Sequence, residues 1–166
     1  MYCLPAMALM LIANTAPADF VRAESVTLIS CVEKAMGTWS DDVWDSDIAL
    51  DFLQEIDQAQ PVFSLIAALE KYRSTYIDND QGTQIIVSAI FVAAAGDNDL
   101  TGIPPNVTKL VDEVRRVVYP NISVLAADAI QRVRENSEVR ELWSEGGTCA
   151  LQNWEAGLQV VEKRLR

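Results

Sequence analysis

Seven acids crowd into the stretch from Met36 to Asp57: Asp41, Asp42, Asp45, Asp47, Asp51, Glu55 and Asp57, with no Lys or Arg among them. Carboxylate oxygens suit hard cations, so Asp41, Asp45 and Asp47 are candidate ligands for Mg²⁺ or Ca²⁺. A carboxylate- or metal-dependent hydrolase is the enzyme such a cluster would serve. The competing reading needs no ligand. Asp45 stands where it could cap a helix, and Asp47 falls in the first turn, where the helix dipole favours negative charge. Asp51 and Glu55 lie four apart on the side opposite Ile48 and Phe52, as a solvated face requires. On this reading Asp41, Asp42, Asp51 and Glu55 form an acidic binding patch, Asp45 is a structural cap, and neither a metal nor a cofactor is expected.

Other chemistry-bearing residues are sparse. The segment "DNDLTGIPPNVT" starts like a calcium loop, with Asp97, Asp99, Thr101 and Gly102 at the first, third, fifth and sixth positions. It then fails: the twelfth position is Thr108 rather than a bidentate glutamate, and Pro104 and Pro105 interrupt the middle. A polar loop closing one helix and opening the next is the expectation. The chain has no histidine, which removes the commonest general base, metal ligand and triad member together. Cys149 therefore has no histidine to activate it and reads as a structural thiol. Trp143 and Trp154 sit on apolar stripes and read as core, whereas Trp39 and Trp44 precede the first helix and could pack back on it.

The elements that would hold these residues are helical throughout. Ile48, Ala49, Phe52, Leu53 and Ile56 make one stripe at three- and four-residue spacing. Pro61 suits the first turn of a second helix, with Phe63, Ile66, Ala67 and Leu69 preceding "EKYRSTY", and "DNDQG" ends that unit. "TQIIVSAIFVAAAG" is apolar on nearly every side and predicts the central buried helix, stopped at Gly96. Val107, Leu110, Val111, Val114 and Val117 form the next stripe, and Pro120 marks a break and re-entry. Ile122, Leu125, Ala126, Ala129, Ile130 and Val133 follow. Asn136 or Ser137 can cap "EVRELWSE", which Gly146 and Gly147 close. Thr148 is expected to cap a last helix carrying Leu151, Trp154, Leu158, Val161 and Leu165. The fold class expected is all-α: a single compact helical domain of six or seven helices around a central apolar one.

At 166 residues, half of them hydrophobic, the chain can bury one real core. It contains no apolar run long enough to span a bilayer, so no membrane insertion is expected. The net charge of −11 disfavours nucleic acid, whose binding depends on Lys and Arg displacing counterions. A basic protein partner would instead be steered toward this surface. The three cysteines, Cys3, Cys31 and Cys149, are odd in number, which argues against a disulfide framework and points to a reducing cytoplasm.

Residues 1–35 differ in character from the rest. The stretch from Ala6 to Ala13 is apolar and Ala16 and Ala18 resemble a cleavage site, but no Lys or Arg precedes them as a secretory signal needs. We expect residues 1–35 to be an extension upstream of the functional domain, either signal-like or the product of a mis-assigned translation start, with residues 36–166 as the helical domain.

Across Met36 to Leu165 the chain resembles a family of uncharacterised bacterial proteins, domain of unknown function 4259. The resemblance is carried by "MGTW" and "VWDSDIALDFL", by "SEVRELW" from Ser137 to Trp143, and by "NWEAGLQVVEKRL" from Asn153 to Leu165. Met36 resembles a first residue because family members open this way. The chain departs from the pattern in three places. "SDDV" replaces the usual glycines, Trp44 stands where Phe is usual, and Ile90 takes the place of a glutamate common in the mid-chain helix. The resemblance implies a fold without an activity. The function expected is a non-catalytic protein-binding module, in concrete form an immunity protein that neutralises a toxin.

Overall fold

The computed structural model describes residues 43–44, 46–58, 60–117 and 120–166. Among them it contains seven α-helices and no strand. The helices are α1 (Asp47–Gln58), α2 (Pro61–Glu70), α3 (Asn79–Asp97), α4 (Thr108–Val117), α5 (Pro120–Glu135), α6 (Glu138–Glu145) and α7 (Thr148–Leu165). Short 3-10 turns, Lys71–Arg73 and Pro105–Val107, lead out of α2 and into α4. The all-α architecture expected from the periodicity is the one observed.

Helix α3 organises the rest. Every residue from Ile85 to Ala95 is buried, and α3 touches each of the six other helices. A helix apolar on all sides can be stable only when enclosed, and here the amphipathic helices enclose it. Its largest fully buried side chains are Phe91, Ile85, Val87 and Val92. Each such side chain contributes about 1.5–3 kcal/mol relative to leaving it exposed.

Local signals set most of the helix ends. Pro61 opens α2, where its missing N–H costs nothing. Ser137 caps α6: its Oγ accepts from Arg140 N–H at 3.2 Å and donates to Val133 carbonyl at 2.7 Å. Three boundaries differ from the sequence reading. "DNDQG" does not end a unit but begins α3, because Asp78 Oδ1 accepts from Gln81 N–H at 2.8 Å and caps the turn containing Asn79 to Gly82. Helix α3 runs past Gly96 to Asp97 and is terminated by Asn98, in the left-handed region at φ 61°. Gly147 occupies the cap position of α7 at φ 92°, a conformation a β-carbon would disfavour, and Thr148 is already helical.

Helices α6 and α7 form an antiparallel hairpin. Arg140 pairs with Glu155 at 3.6 Å, the Trp143 and Trp154 rings stack with centroids 6.5 Å apart, and a β-carbon on Gly146 would meet Ala150. Each pairing advances along one helix as it retreats along the other, as antiparallel neighbours must. The start of α6 is tied to the start of α3: Glu138 N–H donates to Ile77 carbonyl at 2.9 Å, and Glu138 Oε2 accepts from Asn79 N–H at 2.8 Å. That carboxylate stands at the positive end of α3, where a helix favours an anion.

Candidate functional site

Asp47, Asp51 and Glu55 are exposed on α1, and no ion pair joins any of them among the described residues. At about 100° per residue the three fall in one row along α1, beside Leu50 and Gln54. The remaining acidic candidates, Asp41 and Asp42 of the patch and the cap candidate Asp45, lie outside the described residues, as does Trp39. The carbonyl of Ser46 accepts from Leu50 N–H at 3.0 Å and closes the first turn of α1. Among the described residues no three His, Cys, Asp or Glu side chains are grouped to hold a metal ion.

A different side of α1, that of Leu50, Leu53 and Gln54, lines a depression that the sequence did not announce. A depression of about 700 Å³ is lined by Leu50, Leu53 and Gln54 of α1, by Pro61, and by Val107, Lys109, Leu110 and Glu113. A second, of about 530 Å³, is lined by Pro61, Val62, Phe63 and Ile66 of α2 with Glu113 and Arg116 of α4. The two share Pro61 and Glu113 and so adjoin each other beside α1, α2 and α4. Phe63 is 71% exposed and Leu50 45% exposed, so this is apolar surface open to solvent. Phe63 and Ala67 point outward, and the buried side of α2 is Leu65, Ala68 and Leu69. The signal was present in "PVFSLIAALE", a helix apolar on more faces than one core contact can cover. Chemically the lining offers apolar area with polar groups at its lips; among the described residues it contains no Ser, Thr or Cys.

The loop that imitates a calcium site is closed on itself and on α7. Asp97 Oδ1 accepts from Asp99 N–H, and Asp99 Oδ1 from Thr101 N–H, each at 2.9 Å. Arg164 then reaches across from α7. Its Nε donates to Asp97 Oδ2 at 2.7 Å, and its Nη2 to Asp97 Oδ1 at 3.1 Å and to Asp99 carbonyl at 2.7 Å. A guanidinium occupies the place a cation would need. The hydrogen bonds from Arg164 hold the Asp97 carboxyl below its ordinary value, and those from Thr101 do the same for Asp99. Trp44 completes the corner. Its indole N–H donates to Gly102 carbonyl at 2.8 Å, and its ring meets Phe91 edge-on at 5.8 Å.

Trp154 is 2% exposed and belongs to the core, with Trp143 partly buried against it. Cys149 is disulfide-bonded, which corrects its reading as a structural thiol. Ile90, at the position where the family resemblance implies a glutamate, is buried in α3.

An all-α domain with a central apolar helix and tryptophan-bearing last helices is thus the scaffold. Residues 37–157 match the family described as Domain of unknown function (DUF4259), and the chain belongs to that family. Neither the curated proteins nor the solved structures contain a match to it. No helix among the described residues is long and apolar enough to cross a membrane.

Proposed function

We propose that this chain is a non-catalytic protein-binding module whose partner is a basic protein, with neutralisation of a toxin by an immunity protein as its concrete form. The observation that carries the reading is the exposed apolar surface around Leu50 and Phe63, on a chain whose α1 also presents a row of exposed carboxylates. Burying Phe63, Leu50 and their neighbours supplies affinity, while Asp47, Asp51 and Glu55 add to a net charge of −11 that speeds encounter with a cationic surface. Asp41 and Asp42 join the acidic patch in this proposal, and nucleic acid is excluded on charge.

The test is affinity capture of the tagged full chain from its native host, followed by mass spectrometry and reconstitution with purified candidates. A basic protein that binds with an association rate falling steeply with salt supports the reading. A chain that captures nothing reproducible, or that binds Mg²⁺, Mn²⁺ or Ca²⁺ and hydrolyses a substrate with it, overturns it. The cytoplasmic placement rested on the odd cysteine count. The disulfide at Cys149 weighs against a reducing compartment, and trapping of thiols in intact cells decides between the two.

A further inference from the structure

We propose that the face built by α2 and α4 pairs with the same face of a second copy of this chain, about a two-fold axis, to make a homodimer. This goes beyond the binding-module reading, and a partner that buries Phe63 would have to compete with the second copy for it.

Two observations lead to it. The first is unpartnered apolar area. Phe63 stands 71% exposed beside Val62 and Ile66, which are themselves only partly buried. Covering such a ring with another apolar surface removes it from water, and exposed apolar patches of this kind mark association sites. The second is charge. Lys109, Glu113 and Arg116 are exposed on α4, and no ion pair joins any of them among the described residues. At about 100° per residue the three fall in one row, on the side of α4 away from the buried Val111 and Val114.

The sign order of that row selects the occupant. Read along α4 it is positive, negative, positive, so neither a uniformly basic nor a uniformly acidic surface matches it. Its own reverse does. Let two copies of α4 lie antiparallel about a two-fold axis passing between Glu113 and Arg116. Each carboxylate then faces the guanidinium of the other copy, and one axis makes two ion pairs, as a self-complementary interface requires. The depression of about 530 Å³ that Val62, Ile66, Glu113 and Arg116 help to line is the space the second copy's Phe63 enters. The net charge of −11 does not forbid the pairing. The carboxylate row of α1 lines neither depression, and exposed charges more than about 8 Å apart are largely screened at physiological ionic strength.

The experiment uses the full chain with free thiols blocked, so that no dimer is covalent. Sedimentation equilibrium reads the mass at concentrations up to about 1 mM, where even a weak dimer is populated. We expect twice the mass of one chain, with Phe63→Ser weakening association at least about tenfold. Glu113→Arg and Arg116→Glu each set like charges across the axis, and each should weaken association by at least about tenfold. An equimolar mixture of these two single variants should associate again, and so should the double variant, because opposite charges then face each other. A substitution that merely damaged the fold would gain nothing from such mixing, and circular dichroism checks that each variant keeps its helices. A chain that stays monomeric at the highest concentration overturns the proposal, as does a dimer that none of the single substitutions weakens. Failure of the mixed variants to associate overturns the two-fold pairing and the proposal with it. Phe63→p-benzoylphenylalanine, cross-linked by light, should capture a second copy; capture of residues 1–42 of its own chain instead assigns the face to another occupant and overturns the dimer. The two readings fail separately. A captured basic partner on a chain that never dimerises leaves the binding module standing, and a dimer that captures nothing leaves this pairing standing alone.

Discussion

Gly82 lies inside α3 with ordinary helical geometry, so glycine there is not required by backbone conformation. It is required by a neighbour. A β-carbon at Gly82 would stand 2.5 Å from Val139 Cγ2, well inside contact distance. Val139 is β-branched and stiff, and α6 cannot retreat freely because Glu138 is bonded to Ile77 and Asn79. Two effects therefore compete in Gly82→Ala. Replacing glycine in a helix interior gains about 1 kcal/mol. Forcing a methyl into a packed contact costs about 1–3 kcal/mol. We expect the clash to win, with a net loss of about 1 kcal/mol. In a Val139→Ala background the obstructing methyls are gone, and the same substitution should stabilise by about 0.5–1 kcal/mol. The sign reverses between backgrounds. Urea unfolding followed by circular dichroism measures all four members of this cycle, given unchanged denaturant slopes. Effects of Gly82→Ala that agree within about 0.5 kcal/mol in the two backgrounds would mean no coupling, and the contact would not explain the glycine.

Trp154→Ala should cost about 3–5 kcal/mol in the same assay, since the ring is buried and stacked on Trp143; a loss under about 1 kcal/mol would put that ring outside the core. The Asp97 carboxyl titrates below its ordinary value of 3.8 when folded, chiefly through Arg164, so its contribution is complete above the unfolded value and lost as pH falls through the folded one. Arg164→Met should accordingly flatten the fall in stability between about pH 5 and pH 3. Amides at Asp41, Asp42, Asp51 and Glu55 should leave unfolding nearly unchanged while slowing association with a basic partner, more at low salt than at high, as stopped-flow kinetics would record.

Much of the fold was legible because helical period is a local property. The stripes on α1, α5 and α7 and the fully apolar run in α3 could be assigned from spacing alone. So could the starts at Pro61 and Pro120, and the cap of α6 to within Asn136 or Ser137, whose signals lie within a few residues of where they act. The errors came where two signals competed or where the partner was distant. "DNDQG" looks like a turn, yet the same Asp and Asn that favour turns also open helices. Phe63 carries no local sign of its exposure, because α2 is apolar on two sides and only the packing of its neighbours decides which side is covered. The pairing of Asp97 with Arg164, separated by 67 residues, left no trace in local spacing. The depressions beside α1, α2 and α4 are assembled from three helices and exist in none of them.

The central position of α3 carries a consequence for synthesis. Chains emerge from the ribosome amino end first, so α1, α2 and α3 are released before the helices that cover the remaining sides of α3. Its faces toward α5 and α7 must wait until residues 120–165 have been made. During that interval "IIVSAIFVAAA", uncharged, free of proline and rich in β-branched residues, has half its surroundings missing. Such a segment is prone to self-association when exposed. Chains interrupted near Asn98 should therefore collect with chaperones or in the insoluble fraction, whereas those completed through α7 should not. The helix that unifies the finished domain is its chief liability while it is being made.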